Sequence, residues 1–143
     1  MIKFDIIYMS NLKTGVKHIN IFYLFLVGVG GALGAITRYG LNQLLLNQYG
    51  SSLLPTFLAN ISGSFFLGLL TGLLYTHESW PLEIRLFLSV GLLGSFTTFS
   101  TLSVATIQLL QSGDFYNAGL NIGLSIIIGL TAATLGIIIG RAI

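Results

Sequence analysis

The sequence predicts an all-α integral membrane protein, a single domain over residues 1–143 with four transmembrane helices, the third broken at mid-membrane. Three observations predict it. Charged residues make up only 7% of the chain and hydrophobic residues 54%, whereas ordinary soluble domains are about 25% charged. A water-facing exterior cannot be built from that supply. Four stretches also reach the roughly 20 mostly apolar residues that a spanning helix requires. One of them is interrupted by a run of glycine and hydroxyl residues that suits a continuous helix poorly.

Residues 1–18 read as a cytoplasmic lead-in. The apolar run after Lys17 and His18 is too long for the core of a signal peptide, and no small-residue cleavage pattern closes it. Translation can begin at Met1 or at Met9. The first span runs over about 19–46, the second over about 53–75, the third over about 84–110 and the fourth over about 115–139. The connections are short and polar. With four spans, both termini and the connection between spans two and three share one side. That side carries Lys3, Lys13, Lys17, Arg85 and Arg141; the other carries Arg38 alone. Basic residues stay cytoplasmic, so both termini are expected in the cytoplasm of a multi-pass cell-membrane protein. The spans are rich in glycine. Gly30-x-x-x-Gly34 and Gly68-x-x-x-Gly72 have the spacing that lets helices pack closely in lipid. A four-helix unit this small encloses little by itself, so an oligomer is expected.

Several function classes drop out. There is no cysteine, hence no disulfide and no thiolate metal site. A net charge of +2 is too small to argue for nucleic acid. The spans hold no Asp, Glu, Lys or His, which argues against proton-coupled export of the kind run by small four-helix multidrug exporters. No nucleophile–base set lies at membrane depth, so an enzyme is not expected.

The remaining polar residues need partners. Arg38 lies about two turns before the end of span one. It either snorkels to the interface or serves as a cation at a pore mouth. Thr56 and Asn60 on span two are four apart and share a face. An unpaired amide in hydrocarbon costs several kcal/mol, so Asn60 must bond to another helix or face a wet path. Asn121 and Ser125 repeat the spacing on span four. Between Gly91 and Leu102 stand two glycines and five hydroxyl residues. Hydroxyls compete for backbone hydrogen bonds and glycine weakens a helix. A break at membrane depth is tolerated only where it is buried or lines a cavity. Its freed carbonyls are hard oxygen ligands. The edges of Phe96 and Phe99 are positive by their quadrupole and favour an anion. The bland alternative is a kinked helix with core phenylalanines.

At these residues the sequence resembles the CrcB/Fluc family of fluoride channels, from about Phe25 to the C-terminus. Three segments carry the resemblance: Gly30-Gly-Ala-Leu-Gly-Ala-Ile-Thr-Arg-Tyr39, Pro55-Thr-Phe-Leu-Ala-Asn-Ile-Ser-Gly-Ser-Phe-Phe-Leu-Gly68 and Gly91-Leu-Leu-Gly-Ser-Phe-Thr-Thr-Phe-Ser-Thr101. The resemblance implies an antiparallel dimer with two narrow pores and passive export of fluoride. It also implies a structural sodium ion (Na+) at the dimer interface, held by the carbonyls of Gly94 and Thr97. By matching position, Asn60 is the pore asparagine and Phe99 the first of the family's two pore phenylalanines. Asn121 and Ser125 fall on the polar track of span four, Thr56 joins the pore set, and Arg38 stands at the vestibule.

The second phenylalanine of the pair is Leu102 here, which offers no aromatic edge. The one-sided Lys/Arg distribution also departs from the near-zero bias that an antiparallel homodimer needs. Two readings stay open: a conducting subunit, or a non-conducting structural subunit of a heterodimer with a paralogous, oppositely oriented chain.

Overall fold

The computed structural model describes residues 20–50, 53–77 and 80–143. The lead-in and the choice of start codon lie outside the described residues. Helix α1 spans Ile21–Tyr49. The side chain of Asn20 caps it by accepting the Phe22 N–H at 2.9 Å, which satisfies one of the free donors of the first turn. Gly50 ends it with φ 66°, and its N–H returns to the Leu46 carbonyl at 2.9 Å. Only glycine enters that left-handed conformation without strain. Helix α2 spans Leu53–Thr76.

The third crossing is composite. It starts after Pro81 with the short α3, Leu82–Arg85, and widens into a π-helical stretch, Leu86–Leu93. It then tightens into the single turn α4, Gly94–Phe96. Thr97 and Thr98 are extended, with ψ 153° and 113°, before α5 runs over Phe99–Gln111. A tight turn follows at Gly113, φ 81°. Asp114 caps the last helix, α6 (Phe115–Ala142), accepting both the Asn117 N–H and its side-chain amide. Among the described residues four helices are long and apolar enough to cross a membrane, and there is no strand.

Packing explains the glycines. The most extensive contact is α2 against α6, where Gly68 and Gly72 meet Gly136 and Gly140. A β-carbon on Gly136 would run into the Phe65 carbonyl and lie 2.7 Å from the Leu69 nitrogen. Gly30 and Gly34 do the same for α1 against the π-helical stretch, where a β-carbon on Gly91 would sit 3.0 Å from the Gly30 Cα. Backbones can come this close only without side chains, and in lipid such close packing is what holds helices together. A small apolar cluster of Leu70, Leu74 and Leu93 supplements it. Large apolar residues, among them Phe25, Ile36, Ile127 and Leu130, are exposed on the outside. The chain thus keeps small residues at its helix contacts and many bulky ones outside, an arrangement suited to a lipid surround.

Most of the hydroxyls are satisfied locally. Thr37, Ser62, Thr71, Thr131 and Thr134 each donate to the carbonyl four residues back, the usual way for Ser and Thr to sit in a helix. That leaves a short list of polar groups whose partners lie on other elements.

Candidate functional site

Some of these groups converge where α4 ends and α5 begins. A continuous α-helix would give the Thr98 N–H to the Gly94 carbonyl. The extended backbone at Thr97 and Thr98 prevents this. Asn60 on α2 takes the vacated partner's place. Its Oδ1 accepts the Thr98 N–H at 2.7 Å, and its Nδ2 donates to the Thr98 carbonyl at 3.1 Å. A primary amide carries the same donor and acceptor as a peptide group, so Asn60 pairs with Thr98 as a neighbouring strand would. Asn60 thus makes the expected bond to another helix, and its side chain stays partly exposed.

The rest of the junction is held by its own hydroxyls. Thr97 gives its N–H and its hydroxyl to the Leu93 carbonyl at 3.1 and 3.2 Å. The Thr98 hydroxyl accepts the Thr101 N–H at 3.3 Å and lies 3.1 Å from the hydroxyls of both Ser100 and Thr101. Room for this comes from Gly63 on α2, where a β-carbon would strike the Thr97 methyl and lie 3.2 Å from the Phe96 ring. Gly94 is exposed.

A cavity of about 290 Å³ opens against this junction, lined by Arg38, Tyr39 and Asn42 of α1, Thr56 of α2, and Thr98 and Thr101. Arg38 and Asn42 are one helical turn apart, so they face the same way. Arg38 is half-buried and Thr56 buried. The wall therefore offers one fixed positive charge and several neutral donors, and no carboxylate lines it. Such a wall suits a small anion. Among the described residues no three His, Cys, Asp or Glu side chains come together. A hard cation would have to find its ligands among backbone and hydroxyl oxygens.

Arg38, Thr56 and, through Thr98, Asn60 are thus brought to one place. Asn121 and Ser125 lie elsewhere. Asn121 donates from Nδ2 to the Thr106 hydroxyl at 2.9 Å, which in turn donates to the Leu102 carbonyl at 2.8 Å. Asn121 also borders a second cavity of about 260 Å³, with Leu53, Phe57 and Asn117, that shares no lining residue with the first. The Ser125 hydroxyl is buried with no hydrogen-bond partner, a state that costs about 1–3 kcal/mol unless a water or ligand relieves it. Phe99 is 74% exposed, whereas Leu102 is 5% exposed and belongs to the interior.

Reading the sequence residue by residue missed Thr98, Asn42 and Gly63 as site components. Asn42 was accessible from its spacing to Arg38. Thr98 stood among five neighbouring hydroxyls, and its importance lies in its main chain, which no side-chain pattern marks. Nothing in the local sequence distinguishes Gly63 from the glycines that merely pack helices.

Comparison with known proteins covers the same ground. A family model described as "CrcB-like protein, Camphor Resistance (CrcB)" matches residues 25–137. A protein of Dehalococcoides mccartyi named "Fluoride-specific ion channel FluC" is 38% identical over 118 residues, 82% of this chain and 91% of the relative. Proteins of the same name from Hydrogenovibrio crunogenus and Ruminiclostridium cellulolyticum are 42% identical over 123 residues and 43% identical over 119 residues. These matches cover 85% and 82% of this chain and 93% and 91% of the relatives.

Proposed function

This chain belongs to the CrcB family, one of ion channels and not of enzymes, and from that premise we propose that it is a subunit of a fluoride channel. The observation that carries the reading is the cavity at the interrupted crossing, where Arg38, Thr56, Thr98 and Thr101 meet. Fluoride is small and strongly hydrated. It must exchange water for hydrogen-bond donors without meeting a charge that would trap it. Conduction requires entry that is favourable and exit that is fast. Arg38 would raise the local anion concentration at the mouth, and neutral hydroxyls would carry the ion onward. Phe99, presented outward, would place its ring edge in the pore of an opposing subunit. Asn121, and Ser125 with its unpaired hydroxyl, would continue the route along α6. Flow would be passive, lowering cytoplasmic fluoride across the cell membrane.

The functional unit would be an antiparallel dimer, with the third-crossing break at the level of the bilayer centre. Its interface would hold Na+ through the carbonyls of Gly94 and Thr97. These residues fit the ion: Gly94 is exposed and its carbonyl has lost its helical donor to Asn60, while Thr97 is extended. Neutral carbonyl oxygens are the hard ligands an alkali cation takes. Sodium would act here as a structural tie between subunits.

The orientation would be termini-inward, given the basic residues at Lys3, Lys13, Lys17, Arg85 and Arg141. That bias favours a partner of opposite orientation and hence a heterodimer with a paralogous chain. A second reading, a non-conducting structural subunit, is favoured by Leu102, which offers no ring where the family has its second pore phenylalanine. The test is fluoride efflux from liposomes, with chloride as control, for this chain alone and with its candidate partner. Fluoride-selective efflux supports the channel. Selective efflux that survives mutation of Asn60 and Phe99 in the complex would favour the structural role, and absence of selective efflux from both preparations would reject both.

A further inference from the structure

We infer that Asn60 is a positioning residue for permeation, acting by holding the Thr98 main chain in place. The inference rests on the reading of this chain as a fluoride-channel subunit. It begins from the two bonds at 2.7 and 3.1 Å that tie Oδ1 and Nδ2 of Asn60 to the N–H and carbonyl of one residue. Both are to backbone and both cross from α2 to the third crossing. The Thr98 N–H makes no helical bond, the residue being extended with φ −153° and ψ 113° at the N-cap of α5. In an apolar surround that N–H would otherwise be left without a partner, at a cost of several kcal/mol, while the carbonyl gains the Asn60 amide as a further donor. Asn60 is the group that makes the interruption tolerable.

Three consequences meet at Thr98. Its hydroxyl caps α5 through Thr101 and lines the cavity beside Arg38 and Thr56. Its N–H, captured by Asn60, is withheld from the Gly94 carbonyl. Its neighbour Thr97 is seated against Gly63, one helical turn from Asn60 on α2. One side-chain amide therefore fixes the cavity wall and the carbonyl-bearing turn together. Removing it should disturb both, even though neither the wall hydroxyls nor the carbonyls have been altered.

The experiment compares two ways of breaking the same bond in the full chain. Asn60→Ala removes the clamp from α2. Incorporation of the α-hydroxy analogue of threonine at position 98 turns the Thr98 N–H into an ester oxygen and leaves Asn60 intact. Hydrogen exchange of peptides covering Gly94–Thr101 is measured alongside fluoride efflux, with α6 peptides as the folding control. The expected results are exchange faster on the order of tenfold in Asn60→Ala, consistent with the loss of two hydrogen bonds. Efflux should fall in both single variants, and the double variant should be no worse than either. Additive losses would overturn the inference, as would an Asn60→Ala variant that loses efflux with Gly94–Thr101 exchange unchanged. Should faster exchange in α6 show that Asn60→Ala unfolds, Asn60→Asp carries the same comparison, since it keeps the acceptor for the Thr98 N–H and loses the donor to its carbonyl. If the unmodified protein carries no fluoride either alone or with its candidate partner, the channel reading falls, and the exchange comparison alone still decides whether Asn60 holds Thr98.

Discussion

Gly63 and Arg38 show how differently single residues act in this molecule. Gly63 has no chemistry, but its missing β-carbon makes the space that Thr97 and Phe96 occupy. Gly63→Ala is expected to destabilise the fold by about 1–3 kcal/mol, the usual cost of overpacking, seen as a lower unfolding temperature in detergent. Gly119→Ala, where nothing lies within 4 Å of the added carbon, should leave the subunit's own packing unchanged. Arg38 acts through its field. Arg38→Gln should slow fluoride efflux at low ionic strength and matter less at high salt, because the Debye length shrinks from about 30 Å at 0.01 M to about 8 Å at 0.15 M. Equal slowing at both salt concentrations would refute the steering role.

Among the elements, the α2–α6 pair and the composite third crossing divide the work. The pair is held by backbone approach at Gly68, Gly72, Gly136 and Gly140, so Gly136→Leu should force the helices apart and lower the unfolding temperature more than any exposed apolar substitution on α6. The existence of four spanning helices was legible from hydropathy alone, because lipid imposes one solution on a long apolar run. The small-xxx-small pairs Gly30/Gly34 and Gly68/Gly72 were also legible, since their spacing has a single geometric use, although their partners, Gly91 and Gly136, were not. The π-helical stretch Leu86–Leu93 left no trace in the sequence. Apart from Ser89, whose hydroxyl donates to the Arg85 carbonyl, its residues are glycine and ordinary apolar ones. At the site, Arg38, Thr56 and Asn60 stood out because polar groups in an apolar run are conspicuous. Their relation to one another depends on how α1 and α2 meet the third crossing, which local pattern does not encode.

At the scale of the whole molecule the question is which way the chain faces and what it pairs with. The absence of cysteine makes this directly measurable, since an introduced cysteine is the only thiol present. Ser112→Cys should react with an impermeant maleimide from outside intact cells, and Ile143→Cys only after permeabilisation. The reverse pattern, or labelling of both from outside, would contradict a single termini-inward orientation. Replacing sodium by choline should lower the unfolding temperature of the assembled channel if carbonyls at Gly94 and Thr97 hold the ion. An unchanged temperature would argue against it. The inverted distribution of side chains, with small residues at the helix contacts and many bulky ones outside, also governs how such a chain can change over generations. Positions such as Ile127 and Leu130 face outward and are free to drift among leucine, isoleucine, valine and phenylalanine. Positions such as Gly72 and Gly140 have almost no neutral neighbours in sequence space, because even alanine collides there with main chain. A saturation mutagenesis survey of this protein should therefore find its least tolerant sites among its smallest residues.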